Sequence, residues 1–250
     1  MNSEEYTLKD GNLVINEKCI DVEDQAFLNR TDIKSVVVPG CVGRIGPEAF
    51  KGCSNLTTVT ISEGYIDRIW PYAFKDCINL KEVKLPGSIE YILENAFEGC
   101  SSLEAITIPE GVKYIGEFAF SCCSSLGEIT IPDSVTEIGK YAFQFCSSLT
   151  EITIPVVIID TNLFSNCTNL KEVNLSEWTK EIKSEAFWRC ENLTSIEIPE
   201  TVKSIGKSAF GFCKNLKKIN FLGSKEAWEN LQGDFIEDLK NVEITVHRKL

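Results

Sequence analysis

The chain has 250 residues, of which 43% are hydrophobic, and its formal net charge is −12. The apolar fraction excludes wholesale disorder, and the lack of about 18 consecutive apolar residues predicts no membrane insertion. The negative charge argues against a nucleic-acid partner. Eleven cysteines and a single histidine, His247, remain to be explained.

The first 21 residues precede the regular part of the chain and predict an N-terminal cap over 1–21. This segment has neither a basic n-region nor an apolar h-region, so we expect no signal peptide in the chain as given. Residues Tyr6 to Ile15 read apolar–turn–apolar, and Asp10-Gly11 at the centre is a hairpin signal. We expect the hairpin to cover the first edge of the structure that follows.

Residues 22–222 consist of nine units of about 23 residues. Each unit carries a phenylalanine after an alanine, a cysteine three residues later, and a leucine three residues after that. The exceptions are Leu163 in place of alanine, and Arg30 and Ile33 in the first unit. The phenylalanines are Phe27, Phe50, Phe74, Phe97, Phe120, Phe143, Phe164, Phe187 and Phe210. The cysteines are Cys53, Cys77, Cys100, Cys123, Cys146, Cys167, Cys190 and Cys213.

Each repeat leucine begins a short alternating segment, such as Leu193-Thr-Ser-Ile196-Glu-Ile198. Such alternation is typical of a half-buried β-strand, and the proline that often follows ends the strand because it cannot donate to a ladder. About 17 further residues allow the chain to turn, cross the back and return. Equivalent strands should therefore stack in parallel, about 4.8 Å apart.

Two units depart from the period. One has an extra residue around 64–69, and another is two residues short around 155–160. Because the strand positions are spared, we expect both changes to be absorbed in turns on the convex side.

The last segment, 223–250, predicts a C-terminal cap. Ser224 can N-cap a helix that continues to Leu231, and Val242, Ile244 and Val246 then alternate as a terminal strand. With the cap over 1–21 and the repeats over 22–222, the chain is predicted to form one structural domain.

The repeat A-F-x-x-C-x-x-L-x-x-I-x-I-P-x-x-V-x-x-I-G resembles the BspA-like branch of the leucine-rich repeat superfamily, whose core is L-x-x-L-x-L. Residues 45–56 and 138–149 follow it closely. The resemblance implies an α/β fold, a right-handed curved solenoid. Short parallel strands would form its concave face, with turns or short helical segments on the convex face. It also implies adhesion or protein binding in a microbial cell-surface or secreted setting.

The cysteine positions allow two interpretations. One is a redox or metal array, and the other is a ladder of buried small side chains, which we favour because free cysteine is among the most buried residue types. No C-x-x-C pair accompanies the single histidine, so we predict no metal site, and we predict no disulfide. Cys19, Cys41 and Cys122 lie outside the ladder, and Cys122 is expected to be exposed and reactive.

Candidate binding residues follow from the strand pattern, since the second and fourth residues after each repeat leucine should project from the concave face. We select from them Thr58, Thr60, Glu82, Lys84, Thr107, Glu128, Thr130, Glu151, Thr153, Glu172, Asn174 and Glu197. Such a row is also typical of an ordinary solvated sheet surface. The sharper hypothesis is an acidic patch that binds a basic protein partner.

A second candidate surface consists of aromatic residues near the repeat phenylalanines. Its members are Tyr72, Phe118, Tyr141, Phe145, Trp188 and Phe212. Aromatic side chains are favoured at binding hot spots, and they can equally cover neighbouring coils as outer packing.

The sequence predicts no catalytic residues and no cofactor, because equivalent residues spread along a repeat do not converge in a pocket and no catalytic motif is present. We therefore expect a monomeric interaction or adhesion scaffold for a protein ligand, either basic or from the extracellular matrix. The alternatives are a cytoplasmic protein–protein scaffold and a carbohydrate-binding surface module.

Overall fold

The computed structural model describes residues 5–231 and 233–246, without the Ile236 side chain, and His247 lies outside these residues. The chain winds into a stack of similar coils, so the predicted leucine-rich repeat solenoid is confirmed. Each complete coil contributes one longer strand and one two-residue strand, and consecutive coils place equivalent strands side by side.

The longer strands form the face that the sequence pattern predicted. They lie at Asn12–Ile15, Ser35–Val38, Thr58–Ile61, Glu82–Lys84, Ala105–Thr107, Glu128–Thr130, Glu151–Ile154, Glu172–Leu175, Ser195–Pro199, Lys218–Leu222 and Glu243–Val246. All their recorded pairings with one another are parallel. Alternate side chains point into the core, as Val36 and Val38 do, while Val37 between them is exposed.

A second ladder of two-residue strands lies across the core, and the sequence pattern did not reveal it. These strands lie at Asp21–Val22, Arg44–Ile45, Arg68–Ile69, Tyr91–Ile92, Tyr114–Ile115, Glu137–Ile138, Ile158–Ile159, Glu181–Ile182 and Ser204–Ile205. Each ends in a buried Val or Ile. Turns complete the coils, and the described part of the repeats contains no helical segment.

The two irregular units interrupt this short-strand ladder. The extra residue lies in the turn at 62–67 and the missing pair in the turn at 155–157, and each turn connects a long strand to a short one. Among the described residues, Arg44–Ile45 does not pair with Arg68–Ile69, and Glu137–Ile138 does not pair with Ile158–Ile159. The changes therefore lie in turns and leave the long-strand register intact, and their additional effect is the loss of short-strand pairing at these two places.

Around each repeat phenylalanine, backbone hydrogen bonds alternate between neighbouring coils and local turns. The N–H of Phe74 donates to the carbonyl of Ala96 in the next coil, 2.9 Å away, and the N–H groups of Tyr72 and Asp76 also donate to that coil. The intervening N–H groups bond to carbonyls three residues back. This alternation requires positive φ at Tyr72 (59°) and Asp76 (58°). Left-handed backbone is strained, but here it allows all of these N–H groups to form hydrogen bonds.

A continuous stack of phenylalanine rings fills the core. From Phe27 to Phe210, neighbouring ring centroids are 5.1–5.7 Å apart and ring planes lie within 10° of parallel. Every ring is at most 1% exposed. Tyr6 of the N-terminal hairpin closes the stack edge-on, with its centroid 5.2 Å from that of Phe27. Ring stacking therefore runs through all nine repeats.

The cysteines form a second internal ladder beside the rings, which confirms the structural interpretation. Each repeat thiol donates to the carbonyl oxygen of the phenylalanine one coil earlier, at 3.1–3.3 Å, as Cys146 does to Phe120. Burial raises the thiol pKa along the ladder, to about 11 for Cys53 and about 12 for Cys167. Protonated thiols suit this donor role and are poor nucleophiles.

Different structural elements cover the two ends of the stack of coils. At the N-terminus, Tyr6–Lys9 pairs antiparallel with Asn12–Ile15, and positive φ at Asp10 and Gly11 fits a type I′ hairpin turn. At the C-terminus, Ser224 N-caps the helix Lys225–Glu229 by accepting from the Ala227 N–H at 3.1 Å.

A 3₁₀ helix at Ile236–Leu239 follows. Its N-cap Phe235 and its last residue Leu239 are buried. The Asp238 carboxylate accepts a hydrogen bond from the backbone of Phe210, the last repeat phenylalanine, where no further coil supplies a carbonyl. Its second oxygen is buried without a hydrogen-bond partner. Burial raises the pKa of Asp238 above its ordinary value, so folding shifts the titration of this carboxyl to higher pH.

We expect Phe120→Ala to lower the free energy of unfolding by about 3–5 kcal/mol, because it removes a buried ring from the middle of the stack and leaves a cavity. Phe145→Ala is the matched control, since that ring is 45% exposed, and it should cost about 1 kcal/mol or less. Urea unfolding followed by circular dichroism measures both changes. Equal losses in the two variants would contradict the central role of the stack.

Thiol labelling should separate the two classes of cysteine. We expect iodoacetamide to modify Cys41 and Cys122 in the folded protein, because both are exposed. The ladder thiols from Cys53 to Cys190 should react only after unfolding, since they are buried and burial raises their pKa, whereas Cys213 is partly exposed. Mass spectrometry of peptides locates the adducts. Native modification of Cys100 or Cys146 as fast as that of Cys122 would show that the ladder is open to solvent.

We expect Asp238→Asn to raise the urea midpoint at neutral pH and to leave it unchanged in acid. The raised pKa means that the stabilising, protonated form of Asp238 is present at low pH and is lost as the pH rises through the folded-state value. Asparagine stays neutral and keeps an oxygen for the Phe210 N–H. Asp234→Asn, at an exposed site, is the control, and a gain for Asp238→Asn that persists in acid would refute the titration.

Candidate binding surfaces

Two parallel columns of side chains project from the longer strands, and we call the surface they form the long-strand face. The first column contains Ser35, Thr58, Glu82, Ala105, Glu128, Glu151, Glu172, Ser195 and Lys218. The second contains Val37, Thr60, Lys84, Thr107, Thr130, Thr153, Asn174, Glu197 and Asn220. Strand register makes consecutive members neighbours wherever the long strands pair, as for Thr58 and Glu82 and for Thr107 and Thr130, and the remaining consecutive strands contact each other without a recorded pairing. All twelve predicted candidates stand in these columns, and their binding role stays a prediction.

Three acidic side chains occupy consecutive coils of the first column. Glu151 and Glu172 are direct register partners, Glu128 stands one coil earlier, and all three are exposed. Glu82 is separated from them by the coil of Ala105. Glu197 belongs to the second column. The acidic character of the face therefore concentrates at the three adjacent coils.

These carboxylates carry charge that the described part of the protein does not compensate. No ion pair among the described residues includes Glu128, Glu151 or Glu172, although Glu172 accepts from the Asn174 amide at 3.3 Å. Elsewhere, lysines of neighbouring coils do pair with acids, as Lys75 pairs with Glu98 at 2.6 Å. Adjacent unpaired carboxylates produce a local negative potential, which favours a cationic ligand.

A shallow groove of about 350 Å³ lies along this acidic segment. Glu151 and Glu172 line one column of its wall, Thr130 and Thr153 line the other, and Ile152 forms part of the floor. Hydroxyl and carboxylate oxygens on the walls offer hydrogen-bond acceptors to a ligand that lies across the strands.

The predicted aromatic surface is divided among different contacts. Phe118 and Tyr141 stack on each other with centroids 4.6 Å apart, and Trp188 meets Phe212 edge-on at 4.5 Å. Lys51 and Lys75 lie over the ring of Tyr72.

Only Phe145 and Phe212 among these six candidates are largely exposed, at 45% and 60%. Five of the six have left-handed backbone, namely Tyr72, Phe118, Tyr141, Phe145 and Phe212. Mutual packing therefore covers much of this set, and its binding role stays a prediction.

The sequence reasoning missed the two most exposed aromatic side chains. Tyr65 and Trp178 are 79% and 64% exposed. Both lie in the turn between a long and a short strand, directly before a core position, where other units have Ser88, Gly111 or Thr201. An aromatic residue in a column of small residues is the sequence signal for these positions, and it lies outside the phenylalanine motif.

A third group of side chains is held by interactions within the protein. The guanidinium of Arg68 lies over the rings of Trp70 and Tyr91, at 5.6 and 5.1 Å. Its hydrogen bond with Asp67 raises the pKa of Arg68 and lowers that of Asp67. The guanidinium of Arg44 also lies over the Trp70 ring, 4.7 Å from its centroid. These groups join coils around the first irregular unit and leave little free charge for a ligand.

Among the described residues, no group of three or more His, Cys, Asp or Glu side chains is arranged to hold a metal ion. No helix in that part of the chain is long and apolar enough to cross a membrane.

Known proteins share both the repeat and the fold. Residues 20–150, 67–191 and 136–247 match the family described as "BspA type Leucine rich repeat region (6 copies)". No curated protein matches the chain significantly.

Among solved structures, a leucine-rich repeat protein of T. pallidum is 27% identical, with 77% of this chain and 90% of that chain covered and a TM-score of 0.60. One from Eubacterium ventriosum is 22% identical over 72% of this chain and 59% of that chain, with a TM-score of 0.56. A leucine-rich cell surface protein of Faecalibacterium prausnitzii is 24% identical over 93% and 97%, with a TM-score of 0.48.

Proposed function

The chain belongs to the BspA-type leucine-rich repeat family, and from this membership we propose that it is a non-catalytic scaffold whose long-strand face binds a basic segment of a protein partner. The observation that carries the proposal is the row of uncompensated carboxylates at Glu128, Glu151 and Glu172. A repeat fold suits this role because it presents equivalent side chains along an extended surface.

The electrostatics favour a partner with spaced positive charges. Carboxylates on adjacent coils are separated by roughly 4.8 Å, a distance that lysine or arginine side chains of one segment can bridge. Exposed carboxylates contribute mainly to the association rate and to specificity. Binding should therefore weaken as salt rises, because salt screens exposed charges.

The cellular setting does not alter this proposal. The family resemblance supports a microbial cell-surface or secreted protein that contacts another protein or the extracellular matrix. A cytoplasmic scaffold is supported by the described cysteines, all of which are free, since exposed thiols such as Cys41 and Cys122 persist in reducing compartments. The monomeric state and the carbohydrate-binding alternative stay predictions.

We expect the double variant Glu128→Lys with Glu151→Lys to weaken the binding of fluorescent octalysine by about tenfold or more, which corresponds to about 1.4 kcal/mol. Reversal replaces attraction by repulsion, so the dependence of affinity on NaCl should also flatten. Fluorescence anisotropy over a series of NaCl concentrations measures both quantities.

The matched control is Glu117→Lys with Glu137→Lys. It makes the same change in net charge on neighbouring coils, at side chains that lie near Tyr114 of the short-strand ladder. The control should retain most of the octalysine affinity. Equal losses in the two double variants would mean that net charge alone attracts the probe, and the long-strand face would lose its assigned role.

A further inference from the structure

A second groove lies beside the acidic segment, at the turn that carries Trp178. It has a volume of about 660 Å³ and is lined by Trp178, Pro199 and Leu222, together with polar and charged neighbours. The indole is 64% exposed although it borders apolar side chains. A large aromatic side chain left open beside an apolar floor is the arrangement expected at the anchor point of an interface.

The Trp178 groove is continuous with the acidic groove. A small depression of about 130 Å³ lies between them. Asn174 lines both this depression and the acidic groove. Glu177, Pro199 and Leu222 line both the depression and the Trp178 groove. One extended ligand can therefore pass from the carboxylates of the first column, across Asn174, to the indole.

The path carries only acidic charges from the first column to the depression, while the Trp178 groove has two acidic and two basic residues in its lining. Glu177, Glu197 and Glu200 border the depression or the Trp178 groove, and no ion pair among the described residues includes them. Lys180 and Lys203 are the basic residues in the lining. The Lys203 ammonium donates to the Glu200 carbonyl at 3.0 Å. The path thus complements a positively charged ligand.

The turn that presents Trp178 is fixed by hydrogen bonds. The backbone N–H of Trp178 donates to the Ser176 hydroxyl at 3.1 Å. The Thr201 hydroxyl lies 2.8 Å from the carbonyl oxygens of both Glu177 and Thr179. Thr179 is itself fully buried and donates to Val156 of the preceding coil. A backbone held on both sides of the indole reduces the entropy lost when a ligand binds.

We infer that the two grooves bind one protein segment that combines a run of basic residues with a nearby apolar anchor side chain. The basic run lies over Glu128, Glu151 and Glu172, and the anchor packs against Trp178, Pro199 and Leu222. This inference rests on the proposed function and names the chemistry of its partner. A neutral glycan would also stack on an indole, but the unpaired acids along the path favour the basic peptide.

Three fluorescent peptides test the inference on the whole chain. The first is tetralysine followed by two glycines and a leucine, the second replaces the leucine by glycine, and the third keeps the leucine but replaces the lysines by serines. We expect the first to bind at least about tenfold more tightly than the second, which is an increment of the size that a hot-spot contact supplies. Fluorescence anisotropy gives the three affinities.

Trp178→Ala should remove most of that increment and leave the second peptide unchanged. Tyr65→Ala is the matched control, because Tyr65 occupies the same turn of an earlier coil and is even more exposed, at 79%. It should change none of the three affinities. Circular dichroism of both variants checks that the fold is retained.

The outcomes separate the inference from the proposed function. If the second peptide ignores the Glu128 and Glu151 reversal, the proposed function fails. If that reversal acts as expected but the leucine adds nothing, or its increment survives Trp178→Ala, only the anchor assignment is overturned. Retention on a glycan array that depends on Trp178, without any leucine increment, would overturn the peptide in favour of a carbohydrate.

Discussion

The rest of the structure depends on one constraint, which is that the hydrogen-bonding groups around the repeat phenylalanine must align between adjacent coils. There the backbone N–H groups of one coil bond to the carbonyls of the next, as Phe74 does to Ala96. The rings stack at the same interval, and the thiol of Cys146 bonds back to the carbonyl of Phe120. A buried N–H or C=O without a partner is costly, so each coil must place these groups directly over those of its neighbour. The nearly constant length of the repeat follows from that requirement.

This constraint explains which features could be predicted from the sequence. Residues that keep adjacent coils aligned must recur in every coil, so they appear as a period in the sequence. The long strands, the phenylalanine row and the buried cysteines could therefore be predicted. The short-strand ladder escaped because two residues such as Tyr114–Ile115 are too few for an alternation signal. The position of Asp238 could not be predicted either, since it depends on the C-terminal segment folding back so that the carboxylate lies at Phe210.

The residues that determine binding specificity do not have to recur from coil to coil. The repeat fixes where outward side chains stand, while the identity of each is free to vary because it does not affect the match between coils. The columns of the long-strand face were therefore predictable, but the concentration of charge at Glu128, Glu151 and Glu172 is particular to this chain. Trp178 illustrates the point most clearly, since it stands in a column of small residues and became visible only from its exposure and from the groove beside it.

The second break in the short-strand ladder has a mechanical consequence. Between Glu137–Ile138 and Ile158–Ile159 the coils lack the hydrogen bonds that join other pairs of short strands, each worth about 1 kcal/mol. At this boundary the long strands Glu128–Thr130 and Glu151–Ile154 are not paired either, so we expect the solenoid to be more compliant here than at boundaries where one of the two sets pairs. Glu128 belongs to the coil before the boundary, and Glu151 and Glu172 to the coils after it. We expect bending at this boundary to change the spacing of Glu128 and Glu151, whereas Glu151 and Glu172 lie on paired strands that hold their spacing.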